Sequence, residues 1–294
     1  MTNKYDLIVI GAGAMGLASA YEAVKSDQKV LVLEADTVPG GMAAHFDFSG
    51  LSLERYYHFI CKTDYDTFSL LQELGIEDKL KWRETRMGYY YQGENYKWGN
   101  PFALLSFPQL NLIEKIRYGL MAFWATKRKS WDSVEPLTAP IWLKAWLGED
   151  GYQKLWHRLF YLKFYEYTDE ISATWIGTRI RRIGLSRKSL LQEELGYLEG
   201  GTETLVSALV DYRKGQGSDI YLGSPVREIT QSEGHVKGVR VGEDLYEAPR
   251  VISTIPTPLI SKVVPRLSEA TKKKYDAIPN ICLLYTSPSP RDRG

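Results

Sequence analysis

The apolar run Leu7-Ile8-Val9-Ile10 leads directly into Gly11-Ala12-Gly13-Ala14-Met15-Gly16, and no other stretch limits the fold so tightly. A helix-like segment follows over residues 14–25. A second apolar run, Val30-Leu31-Val32-Leu33, ends on Glu34, with Gly40-Gly41 just beyond. Strand, Gly-rich turn, helix, strand and acid in this order predict a dinucleotide-binding βαβ unit. Gly11 allows the tight turn, Gly13 lets the backbone approach a pyrophosphate, and Gly16 lets the helix pack close to the strand. The helix N-terminus offers free N–H groups and a positive dipole end to phosphates. Glu34 can accept hydrogen bonds from a ribose diol and would repel a 2′-phosphate, which disfavours NADP. The glycine pair lets the chain pass close to the ribose and pyrophosphate–ribitol stretch of a longer cofactor, and so points to FAD.

The far end of the chain carries a second signal. Cys282-Leu-Leu-Tyr-Thr-Ser-Pro-Ser-Pro-Arg-Asp292 matches, over eleven consecutive residues, one reading frame of a transposase adapter used in DNA library preparation. The expectation is that residues 282–294 are adapter-derived and that the gene product is cut short. The chain as written is then poorly soluble, binds little flavin and is inactive.

The rest of the composition is that of a water-soluble globular protein. Net charge is +1, bases are interleaved with acids, and no basic run exceeds a few residues, which argues against a nucleic-acid partner. Outside the suspect tail Cys61 is the one cysteine, so no disulfide framework or CxxC metal site is expected, and a reducing, cytoplasmic setting fits. The four histidines, His45, His58, His157 and His235, have no metal-ligand spacing. No segment reaches the roughly 18 apolar residues of a membrane-spanning helix.

Along the chain, residues 46–58 read as short strands or an extended loop. Thr63 caps a predicted helix over 64–74, with Gly75 as its stop. Residues 87–98 read as a β-hairpin with its turn at 92–95. Helices are predicted over 110–129, over 140–147 ending at Gly148, and over 151–165 with Trp156, Leu159 and Phe160 as apolar face. Another is predicted over 172–183 with Gly184 as its stop. Beyond Leu198-Glu199-Gly200-Gly201, Thr202 caps an amphipathic helix (Leu205, Leu209, Val210, Tyr212) that ends near Gly215. Strand-like runs follow at 220–222, 226–230, 236–241 and 251–254. β-rich sequence thus flanks a helical insert that holds most of the 8 Trp and 20 Tyr. The predicted class is α/β: a discontinuous Rossmann-like FAD-binding domain (1–84 and 198–281) with an inserted, mainly helical, aromatic-rich substrate domain (85–197).

These motifs resemble the flavin amine oxidase superfamily, which includes protoporphyrinogen oxidases, carotenoid desaturases and monoamine oxidases. Residues 11–16 with Glu34 and Gly40-Gly41 resemble its FAD-binding start. Tyr197-Leu-Glu-Gly-Gly-Thr-Glu-Thr-Leu205 is similar to the segment where the chain re-enters from the substrate domain. Ser224-Pro-Val-Arg-Glu-Ile229 resembles the segment whose Val backbone meets the adenine, here Val226. Val251-Ile-Ser-Thr-Ile-Pro256 resembles its "VIxTxP" strand end. Within the superfamily, Leu53-Glu-Arg-Tyr-Tyr-His58 and Trp82-Arg83 are similar to the protoporphyrinogen-oxidase-like bacterial group. Met42 departs from the pattern, standing where many members carry Arg, and the Gly-Asp flavin motif lies beyond this chain.

The resemblance implies FAD as cofactor, held by Gly11, Gly13, Ala14, Met15, Gly16, Glu34, Ala35, Gly40, Gly41, Met42 and Val226. It also implies an oxidoreductase in which flavin takes a hydride from a C–N or C–C bond of an apolar or aromatic small molecule. The flavin carries most of that chemistry, so no catalytic side chain is assigned. The alternatives are a non-redox flavoenzyme resembling UDP-galactopyranose mutase or a carotenoid isomerase, and an inactive nucleotide-binding fragment. Arg55, Tyr56, Tyr57 and His58 face the flavin or do ordinary packing and surface work. Cys61 is a remote candidate for a covalent flavin link, and His157 and Lys163 read as structural or solvated. The aromatic insert is either a substrate pocket or a core. Residues 112–131, with Lys115, Arg117, Lys127, Arg128 and Lys129, form either a solvated basic rim or a peripheral membrane patch.

Overall fold

Helix α1 (Ala14–Lys25) joins β1 (Leu7–Ile10) to β2 (Val30–Leu33), two strands whose residues are all buried. The structure, a computed structural model, describes residues 4–189, 191–212 and 218–279. The chain continues through β3 (His45–Phe48), β4 (Leu51–Glu54), α2 (Tyr65–Glu73), β5 (Leu80–Glu84), β6 (Met87–Tyr91) and β7 (Glu94–Trp98). Then come α3 (Pro101–Ser106), α4 (Leu112–Lys127), α5 (Ala139–Tyr152), α6 (Arg158–Phe164), α7 (Ala173–Leu185), β8 (Arg187–Ser189) and β9 (Gln192–Leu198). The last part holds α8 (Thr202–Asp211), β10 (Ser218–Tyr221), β11 (Glu228–Ser232), β12 (His235–Val241), β13 (Asp244–Glu247), β14 (Val251–Ser253), α9 (Ile260–Val263) and α10 (Glu269–Asp276). Two compact units result. Among the described residues, unit 1 holds 4–58, 66–81, 197–212 and 218–279, and unit 2 holds 59–65, 82–189 and 191–196. The segment 59–65, which runs into the first residue of α2, groups with unit 2.

Unit 1 is built on a parallel sheet in the order β10-β2-β1-β14, with Ile8 opposite both Leu31 and Val251. Strand alternation divides its two apolar runs between two cores. Leu7, Val9, Val30 and Val32 pack with Leu17, Ala20, Tyr21 and Val24 of α1 and with Val206 and Leu209 of α8. Ile8, Ile10, Leu31 and Leu33 face the other way, onto Ile229 and Val239 of the antiparallel sheet β11-β12-β13. Both faces of the parallel sheet are covered, which is why neither run contains a polar residue. Each such side chain contributes roughly 1.5–3 kcal/mol by leaving water.

Two sequence expectations change here. Gly201, not Thr202, is the N-cap of α8, and the side chain that serves the helix end belongs to Glu54: its Oε1 accepts the Thr202 N–H at 2.6 Å. Strand β11 starts at Glu228, so Val226 sits in irregular chain ahead of it, and β13 was not expected at all. The expected helix end near Gly215 and the adapter-like tail lie outside the described residues.

Unit 2 packs its aromatic residues as core. Phe107, almost fully buried, receives the edges or faces of Tyr89, Tyr96 and Trp98 at 5.0–5.6 Å between ring centres. Trp124 packs on Trp131, Trp142 and Trp146. The hairpin β6–β7 closes through two residues, Gln92 and Gly93, both at positive φ, rather than over four. Helix α4 starts at Asn111, whose side chain forms a reciprocal capping box with Glu114. In α5 Gly148 leaves helical geometry (φ 78°, ψ 169°), so the first helical stretch ends there as expected and a second one follows directly after it. The next helix is interrupted by a π segment, Gln153–His157, which shifts the helical phase. The buried residues there are consequently Leu155, Phe160 and Phe164, while Leu159 is exposed. Gly184 lies inside α7 rather than ending it, where a Cβ would come 2.8 Å from Thr126 Cγ2 on α4.

Candidate cofactor site

The glycines of the first turn divide by what requires them. Gly11 adopts φ +102°, and a Cβ there would overlap the Thr254 hydroxyl. Thr254 is held in turn by N–H and hydroxyl bonds to the Ile10 carbonyl, both 2.9 Å. A Cβ on Gly16 would overlap the Gly11 carbonyl oxygen. Gly13 is different. Its φ of −67° and ψ of 171° suit any residue, and a Cβ would find its nearest atoms, Gly40 O and Gly41 Cα, at 3.9 and 4.0 Å. The fold alone therefore does not demand glycine at 13. The bare position opens space at the start of α1, where no side chain caps the helix. The first-turn N–H groups, those of Ala14, Met15 and Gly16, have no partners within the helix. The Met15 side chain is turned outward, exposed, leaving them uncovered.

Glu34 directly follows β2 with its carboxylate already in use. Oε2 accepts the Ala12 N–H at 2.6 Å and Oε1 that of Asp36 at 2.9 Å. Each oxygen keeps a lone pair for a diol. Gly40, at φ +112°, donates its N–H to Ala12 O at 2.8 Å and bridges to Gly13, and a Cβ on it would press on Ala44. Gly41 (φ +56°) comes as close to Gly13, and Ala35 and Met42 are exposed.

Distant motifs close on this turn. Ser224 N–H donates to Glu34 O at 2.7 Å and Gly223 N–H to Asp36 O at 2.8 Å. Half-buried Val226 follows, packed on the β11–β13 side, and its backbone N–H and C=O have no hydrogen-bond partner among the described residues. From the 197–205 segment, Thr202 donates its hydroxyl to Ala43 O at 2.8 Å, and Glu203 lies 3.0 Å from His45 Nε2. The four sequence motifs thus meet in unit 1 around the 11–16 turn. An open Gly13, an uncapped helix start, a carboxylate at the strand end and an unpaired Val226 backbone fit the ADP half of FAD.

Other candidates have structural work. Arg55 pairs with Asp36 at 2.7 Å and holds its carboxyl below the usual range. Tyr57 is exposed, Tyr56 is half-buried, and His58 Nδ1 stands 4.0 Å from Glu54 Oε2. Cys61 is wholly buried in unit 2, and burial pushes its thiol up, which suppresses the reactive thiolate. In the same unit His157 stacks on Tyr161, and burial, with Arg179 nearby, pushes Lys163 down. Two residues to which sequence reasoning gave no role stand out. Glu54, at the end of β4, links that strand to the start of α8 beside Gly200-Gly201. Glu193, buried on β9, accepts the Thr85 hydroxyl at 2.9 Å, and burial pushes its carboxyl up. Strand alternation within Gln192-Glu193-Glu194 was the available signal for Glu193; Glu54 stands in the 53–58 motif, but nothing local pointed to its partner on α8.

A parallel-sheet α/β fold with this turn defines a dinucleotide-binding protein. The chain belongs to the flavin-containing amine oxidoreductase family, whose profile it matches over residues 16–289. It is 27% identical over 285 residues to 15-cis-phytoene desaturase of Synechococcus elongatus, covering 87% of this chain and 59% of that protein. It is 25% identical over 288 residues to human flavin-containing amine oxidase B, covering 90% and 52%. The structure of putrescine oxidase bound to putrescine shares its fold, with a TM-score of 0.67 at 21% identity, covering 94% of this chain and 64% of that one. The chain therefore spans little more than half the length of these curated relatives. The family is flavin-containing, in line with FAD as cofactor. Among the described residues no helix is long and apolar enough to cross a membrane.

Proposed function

We propose that the intact protein is an FAD-dependent oxidoreductase acting on an apolar or aromatic small molecule through a C–N or C–C bond. The observation that carries this reading is Gly13, a glycine that neither backbone angle nor protein packing requires, beside an uncapped helix start and Glu34. Bound FAD supplies the hydride acceptor. The chain's own residues hold it: the Ala14, Met15 and Gly16 N–H groups meet the pyrophosphate, and the positive end of α1 offsets its charge. Glu34 accepts from the adenosine ribose, and the free Val226 backbone meets the adenine edge. Gly40-Gly41 lets the chain run along the pyrophosphate and ribitol. Met42 brings no charge, so the helix start and backbone carry the phosphate binding there. Unit 2, inserted between the parts of unit 1, is the substrate domain in this reading, supported by its chain position.

The test is anaerobic mixing of the FAD-loaded protein with panels of amines and of polyenes. Net bleaching of the visible flavin band by one of them is the expected result. Turnover that requires prior reduction of the flavin, with no net bleaching, would overturn it in favour of non-redox chemistry.

A further inference from the structure

The outward face of α4 is apolar. Leu112, Ile113, Ile116, Leu120 and Phe123 fall within about a 100° arc of the helix at 3.6 residues per turn. All five are between 52% and 68% exposed, while Glu114, Met121 and Ala125 on the opposite side are buried. A surface helix ordinarily presents its polar side to water, and α4 does the reverse. The patch extends onto α3 through exposed Phe102 and Leu105, and Lys115 Nζ ties the helices together by donating to Leu105 O at 2.7 Å. An apolar face of this size marks an interaction surface.

Charge decides the partner. Between residues 101 and 131 stand five bases and one acid, and the acid, Glu114, points inward. Arg117 is spent on the α5 carbonyls of Ala145 and Trp146. Lys127 continues the apolar arc, its ammonium 5.7 Å from the Phe123 ring centre, and exposed Lys129 follows. Arg128 lies over Trp124 at 4.3 Å. An apolar helix face that carries Lys127, with Lys129 just beyond it and its one acid, Glu114, turned inward, suits an anionic bilayer surface: the side chains enter the acyl boundary and the ammonium groups meet the headgroups. We propose that the α3–α4 face of unit 2 docks the protein on anionic membranes with α4 lying flat in the interface.

Flotation with vesicles tests this whether or not flavin is bound, so its outcome is independent of the proposed activity. The protein should float with phosphatidylcholine–phosphatidylglycerol vesicles, at least tenfold less with phosphatidylcholine alone, and be partly released by high salt. Ile116→Ser/Leu120→Ser/Phe123→Ser should abolish flotation without changing the circular dichroism spectrum. Lys127→Glu/Lys129→Glu should remove the preference for phosphatidylglycerol. Absence of wild-type flotation with the anionic vesicles, or undiminished flotation of the triple serine variant, overturns the proposal. A wild-type dimer that ignores vesicles and becomes monomeric with the serine substitutions also overturns it, by assigning the face to a second copy.

Discussion

Glu34 reaches back to the turn that precedes it: its Oε2 accepts the backbone N–H of Ala12 at 2.6 Å, between Gly11 and Gly13. The carboxylate just after β2 therefore braces the turn at the start of α1 while keeping lone pairs free for a ribose. Binding and local order are joined in one side chain.

Glu34→Ala should weaken FAD binding by about 1–3 kcal/mol, the loss of a charged hydrogen-bond acceptor, which is roughly 5- to 150-fold in Kd. It should also lower the melting temperature of the FAD-free protein, because the Ala12 and Asp36 N–H groups lose their partner. Isothermal titration and a thermal melt read the two effects separately. Weaker binding with an unchanged FAD-free melt would mean that the carboxylate serves the ligand alone.

Glu193 gives a pH signature of unusual sign. Burial raises its folded-state value above the unfolded one, with the Thr85 hydroxyl and Arg187 opposing. Its contribution to stability is therefore complete below about pH 4, where both states hold the proton, and is lost as pH rises through the folded value. Glu193→Gln, which keeps an acceptor for Thr85 and cannot ionise, should melt higher than wild type at pH 7–8, with the gap closing near pH 4. A gap that does not vary with pH would assign the effect to packing.

Two helical glycines should respond to alanine with opposite signs. A Cβ on Gly119, midway along α4, meets nothing within 4 Å, so Gly119→Ala should stabilise by about 0.5–1 kcal/mol. A Cβ on Gly177 in α7 would overlap the Trp131 ring, which Arg128, Trp124 and Trp142 hold in place. Gly177→Ala should cost roughly 1–3 kcal/mol. Denaturant melts of the two variants provide the comparison, and equal midpoints would contradict the packing described for unit 2.

What the sequence made legible was local. The β1–α1–β2 unit, its glycines and Glu34 lie within 41 residues, and pattern and spacing carried them to the right elements. The features that escaped are set by partners far along the chain. Glu54 serves the start of α8 from 148 positions away, and Thr254 fills the space that forbids a side chain at Gly11. Gly184 reads as a helix stop because glycine often ends helices, yet here it lets α7 approach Thr126. Leu159 leaves the core because the π segment ahead of it shifts the register that a 3.6 period assumes. The aromatic insert could be weighed as pocket or core only once its rings were seen packing on one another.

The central claim is that position 13 is kept bare for a ligand. Gly13→Ala tests it most directly, since its Cβ fits the protein at 3.9 Å or more from its neighbours. The measurement is FAD affinity by titration alongside the FAD-free melting temperature, with Gly16→Ala as the companion whose Cβ collides with Gly11. The account predicts that Gly13→Ala melts like wild type and binds FAD at least tenfold more weakly, while Gly16→Ala loses stability outright. A Gly13→Ala protein that binds FAD as tightly as wild type would contradict it.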